Sequence, residues 1–405
     1  MEVKEPNVKY LTAQFKRTEA GDIPIDWLDK TVGDMAEVTS GGTPSRKVTA
    51  YWDGDIPWVT TAELECGQVT SAAQHITLAG LQNSAAKWLP AGTLLIALYG
   101  QGKTRGKCAV LRIAATTNQA CAGIKLEEGV DGDFVRHNLT HRYEYIRSLS
   151  NGGSQENLSG EIVKKIHIGM PSTPTEQRAI AAALTDADSL IDSLEQLLTK
   201  KRQIKQGTMQ ELLTGKRRLP GFAGDWTCAP LGEIARIKTG SMNNQDKVED
   251  GEFPFFVRSQ SVERIDTYTH DCEAILIPGE GGIGSIFHYF HGRFALHQRV
   301  YGITDFSESV LGRFVYFFMR VFFGPHAMEN SVKATVDSLR LPTFMTFEVR
   351  LPPTVAEQTA IVEVLSDLEV NIAALEERLT KARALKQAMA QALLTGRIRL
   401  VEPTT

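Results

Sequence analysis

One long stretch of this chain occurs twice. Residues 176–219 and 357–400 superpose without a gap, and half of their positions are identical. Glu176-Gln177 falls on Glu357-Gln358, and Leu212-Leu213-Thr214-Gly215 on Leu393-Leu394-Thr395-Gly396. A second match precedes each copy. Residues 26–41 resemble 225–240, with Trp27 on Trp226, Gly33 on Gly232 and Ala36 on Ala235. A repeat of this kind constrains the fold more than any local motif, because both copies must build the same supersecondary unit. The unit reads Asp-Trp, a long middle, Glu-Gln, then a long helix.

The repeated stretches are helical by period. In the second copy Ile361, Leu365, Leu368, Ile372, Leu375, Leu379 and Ala382 recur at alternating steps of four and three. In the first, Ile180, Leu184, Ala187, Ile191, Leu194 and Leu198 do the same. That is a heptad seam. Neither stretch has an internal Pro, Thr175 and Glu176 are start residues, and Gly215 and Gly396 stand where a helix stops. Helices of about 35–40 residues within 174–214 and 355–395 would each be roughly 55 Å long at 1.5 Å per residue. A seam on a lone helix is exposed. The nearest partner is the other copy, reached through a whole globular domain, which allows an antiparallel pair.

The middles differ more than their frames. Each has an apolar run followed by a Gly-rich turn: Leu94-Leu95-Ile96 before Gly100 to Gly106, and Ile275-Leu276-Ile277 before Gly279 to Gly284. Each then has a Gln, in Asn118-Gln119 and His297-Gln298, and closes on a short helical stretch, 133–149 and 312–323. The two middles are expected to share a fold and to differ in surface residues. The fold class is α+β: two similar globular domains of mixed β-sheet with short helices, and two long antiparallel helices forming an intramolecular coiled coil with a pseudo-two-fold. The expected divisions are an N-terminal segment 1–20, a first domain 21–173, a central helix 174–220, a second domain 221–354, a C-terminal helix 355–400 and a tail 401–405.

Composition narrows the function. The formal charge of the 405 residues is −4, which excludes a broadly polycationic coat. Residues 27–170 hold 14 Lys+Arg against 14 Asp+Glu, and residues 226–351 hold 12 against 15, so affinity for phosphate alone is modest. The five Cys residues (66, 108, 121, 228 and 272) are odd in number and far apart, which excludes a disulfide framework or zinc ribbon. The first ten residues carry charges and a Pro where a signal peptide needs an apolar core, and no long apolar run follows. A cytoplasmic protein without membrane contact is expected.

Together these features resemble the DNA-specificity (S) subunit of type I restriction-modification systems. The resemblance covers Lys16 to Leu400. It rests on Trp27 and Gly33, Thr39-Ser40-Gly41-Gly42-Thr43-Pro44-Ser45, Tyr51-Trp52-Asp53-Gly54-Asp55-Ile56-Pro57-Trp58, Asn118-Gln119 and the duplicated Glu-Gln helices ending Leu-Leu-Thr-Gly. It implies two target recognition domains, each reading one half of a bipartite, asymmetric site in double-stranded DNA. It implies that the helices set the spacing and dock two modification subunits, which bind S-adenosylmethionine and methylate adenine. Restriction subunits with a DNA-translocating motor join such complexes. The second middle departs from the pattern: Ser241-Met242-Asn243-Asn244-Gln245 follows Gly240, without Thr-Pro or Tyr-Trp.

Several tempting motifs fail on chemistry. Gly100-Gln101-Gly102-Lys103-Thr104 imitates a P-loop end, but the required upstream Gly is Ala97 and strand formers follow. Gly279-x-Gly281-x-x-Gly284 is followed by Ser285-Ile286-Phe287-His288-Tyr289-Phe290, which opens no helix, so a hairpin turn fits better than a dinucleotide site. No Asn-Pro-Pro-Tyr/Phe element of an adenine methyltransferase occurs. His137 and His141 have metal-ligand spacing but no third ligand, and a solvent- or phosphate-facing role is expected. Phe314, Phe317, Phe318, Val321 and Phe322 read as core. The chain is therefore expected to be non-catalytic and to bind no cofactor or metal of its own.

Base reading needs cationic forks for guanine and amides for adenine. In the first middle the polar loops supply Thr43, Ser45, Arg46, Lys47, Tyr99, Gln101, Lys103 and Arg105. In the second they supply Asn243, Asn244, Gln245, Lys247, Arg258, Gln260, Gln298 and Arg299. Two other classes remain open at this point: a coiled-coil interaction scaffold without sequence-specific DNA binding, and an enzyme with its own cofactor site.

Overall fold

The computed structural model describes residues 14–65, 67–100, 103–149, 157–282, 284–329 and 338–400. Two α-helices of 39 residues dominate it, Pro174–Leu212 and Val355–Leu393. The first begins one residue ahead of the expected Thr175. Thr173 accepts the Glu176 amide at 3.4 Å, and Thr354 accepts that of Glu357 at 3.3 Å. The caps thus lie just outside the helices, and Pro174 fits the first turn, whose N–H has no intrahelical partner in any case. Both helices stop as the sequence predicts, with Gly215 at φ 70° and Gly396 at φ 68°. Along the seam Ile180, Leu184, Leu194, Leu198, Ile361, Leu365, Leu375 and Leu379 are all buried.

The chain forms two compact units. The first comprises residues 1–194 and 378–405, the second residues 195–377. Each long helix is divided between them. In the first unit Ile180, Ala181 and Leu184 share a core with Ala390, Leu393 and Leu394, together with Trp27, Phe134 and Ile168. In the second, Met209, Leu212 and Leu213 share a core with Ile361 and Leu365, together with Phe314, Phe317 and Val349. Each fully buried side chain of this size stabilises by about 1.5–3 kcal/mol, so each core rests on the start of one helix and the end of the other. The helix segments run antiparallel inside each unit. Asp188 pairs with Lys386 and Glu176 with Arg399 in the first. Arg202 bonds Glu376 and Lys205 bonds Glu369, both at 2.7 Å, in the second.

The Glu-Gln signature follows from this packing. Glu176 and Glu357 are 2% and 1% exposed. The Arg399 guanidinium bonds Glu176 and also Asp26. The Arg218 guanidinium bonds Glu357, with Nη2 2.7 Å from Oε2. The adjoining Gln tethers the globular domain: Gln177 accepts the Asp131 amide at 3.0 Å and donates to the Pro171 carbonyl. Gln358 accepts the Leu311 amide at 2.8 Å and donates to the Ser309 carbonyl.

Each middle is built on its own mixed sheet. In the first unit the order is Ala36–Ser40, Cys121–Leu126, Leu94–Ala97, Cys108–Leu111, Gln68–Val69. The last junction is parallel and the others antiparallel. In the second unit the order is Arg236–Thr239, Val300–Thr304, His270–Pro278, His288–Leu296, Phe253–Phe256, Glu263–Ile265. The Phe253–Phe256 junction with His288–Leu296 is again parallel. A short antiparallel pair joins each middle to its frame, with Leu28 opposite Met170 and Thr227 opposite Leu351. The first middle adds a small sheet from Trp52–Val59, Gln74–Ile76 and Thr116–Thr117. Both Gly-rich turns connect antiparallel strands, as expected for hairpins.

Two expectations meet the structure here. His137 is a correction, since it does not face solvent: it is 3% exposed, against Arg136 and the Thr185 hydroxyl. Burial and the Arg136 cation push its pKa down to about 3. The stretch from Phe314 is core as predicted, in the helix Gly312–Glu329.

Candidate nucleic-acid interface

In the first unit the strand Ala36–Ser40 runs into Gly41-Gly42, pressed against the turn that carries Gln119. The Gly41 amide donates to the Cys121 carbonyl at 3.1 Å and the Gly42 amide to Thr117 at 2.8 Å. A Cβ on Gly41 would lie 2.3 Å from the Thr117 carbonyl oxygen, so only Gly permits the approach. Just beyond, the Thr43 hydroxyl donates to the Gln119 amide oxygen. Arg46 lies over the Trp52 ring, 3.6 Å from its centroid, and 5.1 Å from that of Trp58. Its Nη2 donates to Gln74 at 2.7 Å. The Trp52 indole in turn donates to the Ser45 carbonyl at 3.2 Å, and that of Trp58 to Gly42 at 2.9 Å. The loop 43–46 is therefore held at both ends while Thr43, Ser45, Arg46 and Lys47 remain exposed.

The second unit repeats this frame with different side chains. Ser241 and Met242 donate their amides to the Leu296 carbonyl, and the Gly240 amide reaches Val300, each at 3.2 Å. A Cβ on Gly240 would meet the Leu296 oxygen at 1.9 Å. The Asn118 amide bonds the Val59 carbonyl, as His297 bonds Phe256, both at 3.0 Å. Leu98 bonds the Ala120 carbonyl, as Gly279 bonds Arg299. Where the first unit has Thr43 on Gln119, the second has Gln298 donating to the Asn243 side-chain oxygen at 2.5 Å. Asn243 also opens a tight turn, its amide on Asp246 at 2.6 Å.

Arg258 and Arg299 converge on one carboxylate. Arg258 Nη1 lies 3.2 Å from Glu280, and Arg299 donates to the other oxygen of that carboxylate. The Arg299 bond, helped by both cations, holds the Glu280 carboxyl below its ordinary range. Burial, with Arg258 and Arg299 nearby, pushes His297 down, so the neutral ring accepts the Arg299 amide at 3.0 Å. Asn244, Lys247 and Arg258 line a cavity of 470 Å³ with Glu263 and Glu280. Gln245 is exposed beside it.

The remaining predicted residues fall outside these clusters. Tyr99 is 40% exposed and follows Leu98 at the Gln119 turn. Lys103 is exposed, and its carbonyl accepts the Tyr143 hydroxyl at 2.5 Å, which ties that turn to a helix. Arg105 is a correction: it is 5% exposed, so its side chain is packed inside and not offered to a ligand. Gln101 lies outside the described residues. Gln260 lines a separate concavity with Phe256, His288 and Tyr289. Sequence reasoning passes over Gln119, Gln74, Trp52, Trp58 and Glu280 as contact residues. The alignment of Asn118-Gln119 with His297-Gln298 is the signal that points to the first of these.

A family model described as type I restriction modification DNA specificity domain matches residues 24–206 and 223–383. The chain belongs to the type I specificity family. Among specificity subunits it is similar to that of the MjaIX enzyme of Methanocaldococcus jannaschii, 28% identical over 268 residues that cover 60% of each chain. It is 30% identical to the EcoDI specificity subunit of Escherichia coli over 42% of this chain and 37% of that one. The chain thus spans three-fifths or less of the length of these two relatives. The MjaVIII specificity subunit of M. jannaschii is 22% identical over 96% of this chain and 97% of its own. The crystal structure of a type I restriction-modification S subunit from M. genitalium superposes with a TM-score of 0.65 at 15% identity, covering 91% of this chain and 96% of that one. That likeness shows the specificity-subunit fold. No described helix is long and apolar enough to cross a membrane.

Proposed function

We propose that this chain is the DNA-reading subunit of a type I restriction-modification complex. Each unit reads one half of a bipartite, asymmetric site in double-stranded DNA. The two long helices set the distance between the halves and dock two modification subunits. Those subunits carry S-adenosylmethionine and methylate adenine, and restriction subunits join the same assembly. The chain itself performs no chemistry, binds no cofactor and works in the cytoplasm.

The observation that carries this reading is one backbone frame with two side-chain sets. Thr43 on Gln119 and Asn243 on Gln298 occupy the same strand end and turn, yet differ in chemistry. A pure scaffold has no need to hold different amides and hydroxyls in one rigid frame, whereas a reader of two unlike half-sites does. The test is sequencing of methylated adenines in cells that express the chain with its modification subunits. Replacing residues 36–126 by the matching segment of a relative is expected to change one half of the motif only. An unchanged motif, or loss of both halves in a complex that still assembles, overturns the reading.

A further inference from the structure

The arginines beside the two Gln turns are held in an unusual way. An exposed ion pair contributes little to stability, because water screens it and two long side chains must be ordered to form it. Arg258 and Arg299, with side chains 42% and 53% exposed, add little to the fold through Glu280. What the shared carboxylate does is immobilise two guanidinium groups, one on each of its oxygens. Each contact uses Nη1, so Glu280 does not engage the Nε–Nη2 edge of either fork. In the first unit the described contacts of Arg46 include no carboxylate. Arg46 is fixed by stacking on Trp52 and by one bond from Nη2 to Gln74.

A guanidinium fork matches guanine O6 and N7 when its plane is fixed before contact, and fixing it in advance removes an entropic cost of binding. A phosphate contact has no such requirement, since a mobile Lys or Arg serves as well. A carboxylate between two arginines also opposes phosphate, because it leaves the three-residue cluster with a single net positive charge. We propose that Arg46 in the first unit and Arg299 in the second, the latter aligned by Glu280 as a positioning residue together with Arg258, are pre-oriented readers of guanine. This rests on the DNA-reading function proposed above and adds a base class: each half-site carries a G·C pair next to the position met by Gln119 or Gln298.

The experiment is selection from a random-sequence duplex library at one fixed salt concentration. It uses the full chain with its modification subunits, with thermal unfolding of each variant as the folding control. Arg46→Lys and Arg46→Ala are both expected to lower discrimination at one G·C position of one half-site, on the order of 10- to 100-fold, with the other half intact. Arg299→Lys is expected to do the same in the other half. Glu280→Gln is expected to weaken discrimination in that second half while raising binding to random duplex. Full recovery of discrimination by Lys, an unaltered motif in Glu280→Gln, or half-sites without G·C overturns the assignment and leaves the DNA-reading function standing. Absence of any enriched motif with the unmodified chain overturns both.

Discussion

Single residues carry the closure of each unit. Arg399 has a side chain only 7% exposed and serves Glu176 and Asp26 together. Truncating it leaves a buried carboxylate without its cation, so Arg399→Ala is expected to cost about 3–5 kcal/mol in denaturant unfolding. Arg218→Ala is expected to cost less, because Arg218 is 25% exposed and water reaches the gap. Gly207 lies inside the first long helix with open space where a Cβ would stand, and its counterpart in the second helix is Ala388. Gly207→Ala is expected to stabilise by about 0.5–1 kcal/mol, read by the same titration. His137 gives a pH dependence. Its folded pKa of about 3 lies below the ordinary 6.5, so the unfolded chain binds the extra proton between those values. Stability is therefore lost as pH falls below about 6.5, by at most about 1.4 kcal/mol per unit. His137→Gln is expected to flatten that slope; the remainder comes from His141, His270 and His297, which are displaced the same way, and at lower pH from carboxylates held below their ordinary range, such as Asp133 and Glu369. Neither His137 nor Arg105 is legible as buried from the sequence. Residues distant along the chain meet both: the Thr185 hydroxyl meets the His137 ring, and Arg147 bonds the Arg105 carbonyl.

At the scale of elements, the long helices are legible because their pattern is local. A heptad needs only its own neighbours to declare itself, and Gly215 and Gly396 end each helix in a conformation that Gly favours. The loops are legible only as polar. The charge of Arg46 marks it as a candidate, but its seat on Trp52 and Gln74 depends on a sheet that pairs Trp58 with Gln74. Gln119 escapes the reading of the loops although its counterpart Gln298 does not. The shared turn also makes a prediction. Gly240→Ala drives a Cβ into the Leu296 backbone, which cannot yield as a flexible side chain would. It is expected to cost about 1–3 kcal/mol in thermal unfolding and to displace Asn243 from Gln298. Gly41→Ala is expected to act alike on Thr43 and Gln119, with any effect on DNA confined to the half-site proposed for the first unit.

At the scale of the whole molecule, the two helices are the elements common to both units, and the proposed spacing function belongs to them. Adding one helical turn to each, at Leu194/Glu195 and at Glu377/Arg378, lengthens each by about 5–6 Å. The methylated motif is then expected to gain one to two base pairs between its halves, at about 3.4 Å per pair; an unchanged spacer defeats the ruler. The division of the chain has one more consequence, in the order of synthesis. The second unit is a single run of residues, 195–377, and is complete while the ribosome is still translating. The first waits for residues 378–400, because Ala390, Leu393 and Leu394 belong to its core and Arg399 to its buried carboxylate. Domains generally fold as units while the nascent chain emerges. Here the portion made earliest is completed last, and a polypeptide that stops just after residue 377 holds every residue of the later unit while lacking part of the earlier core.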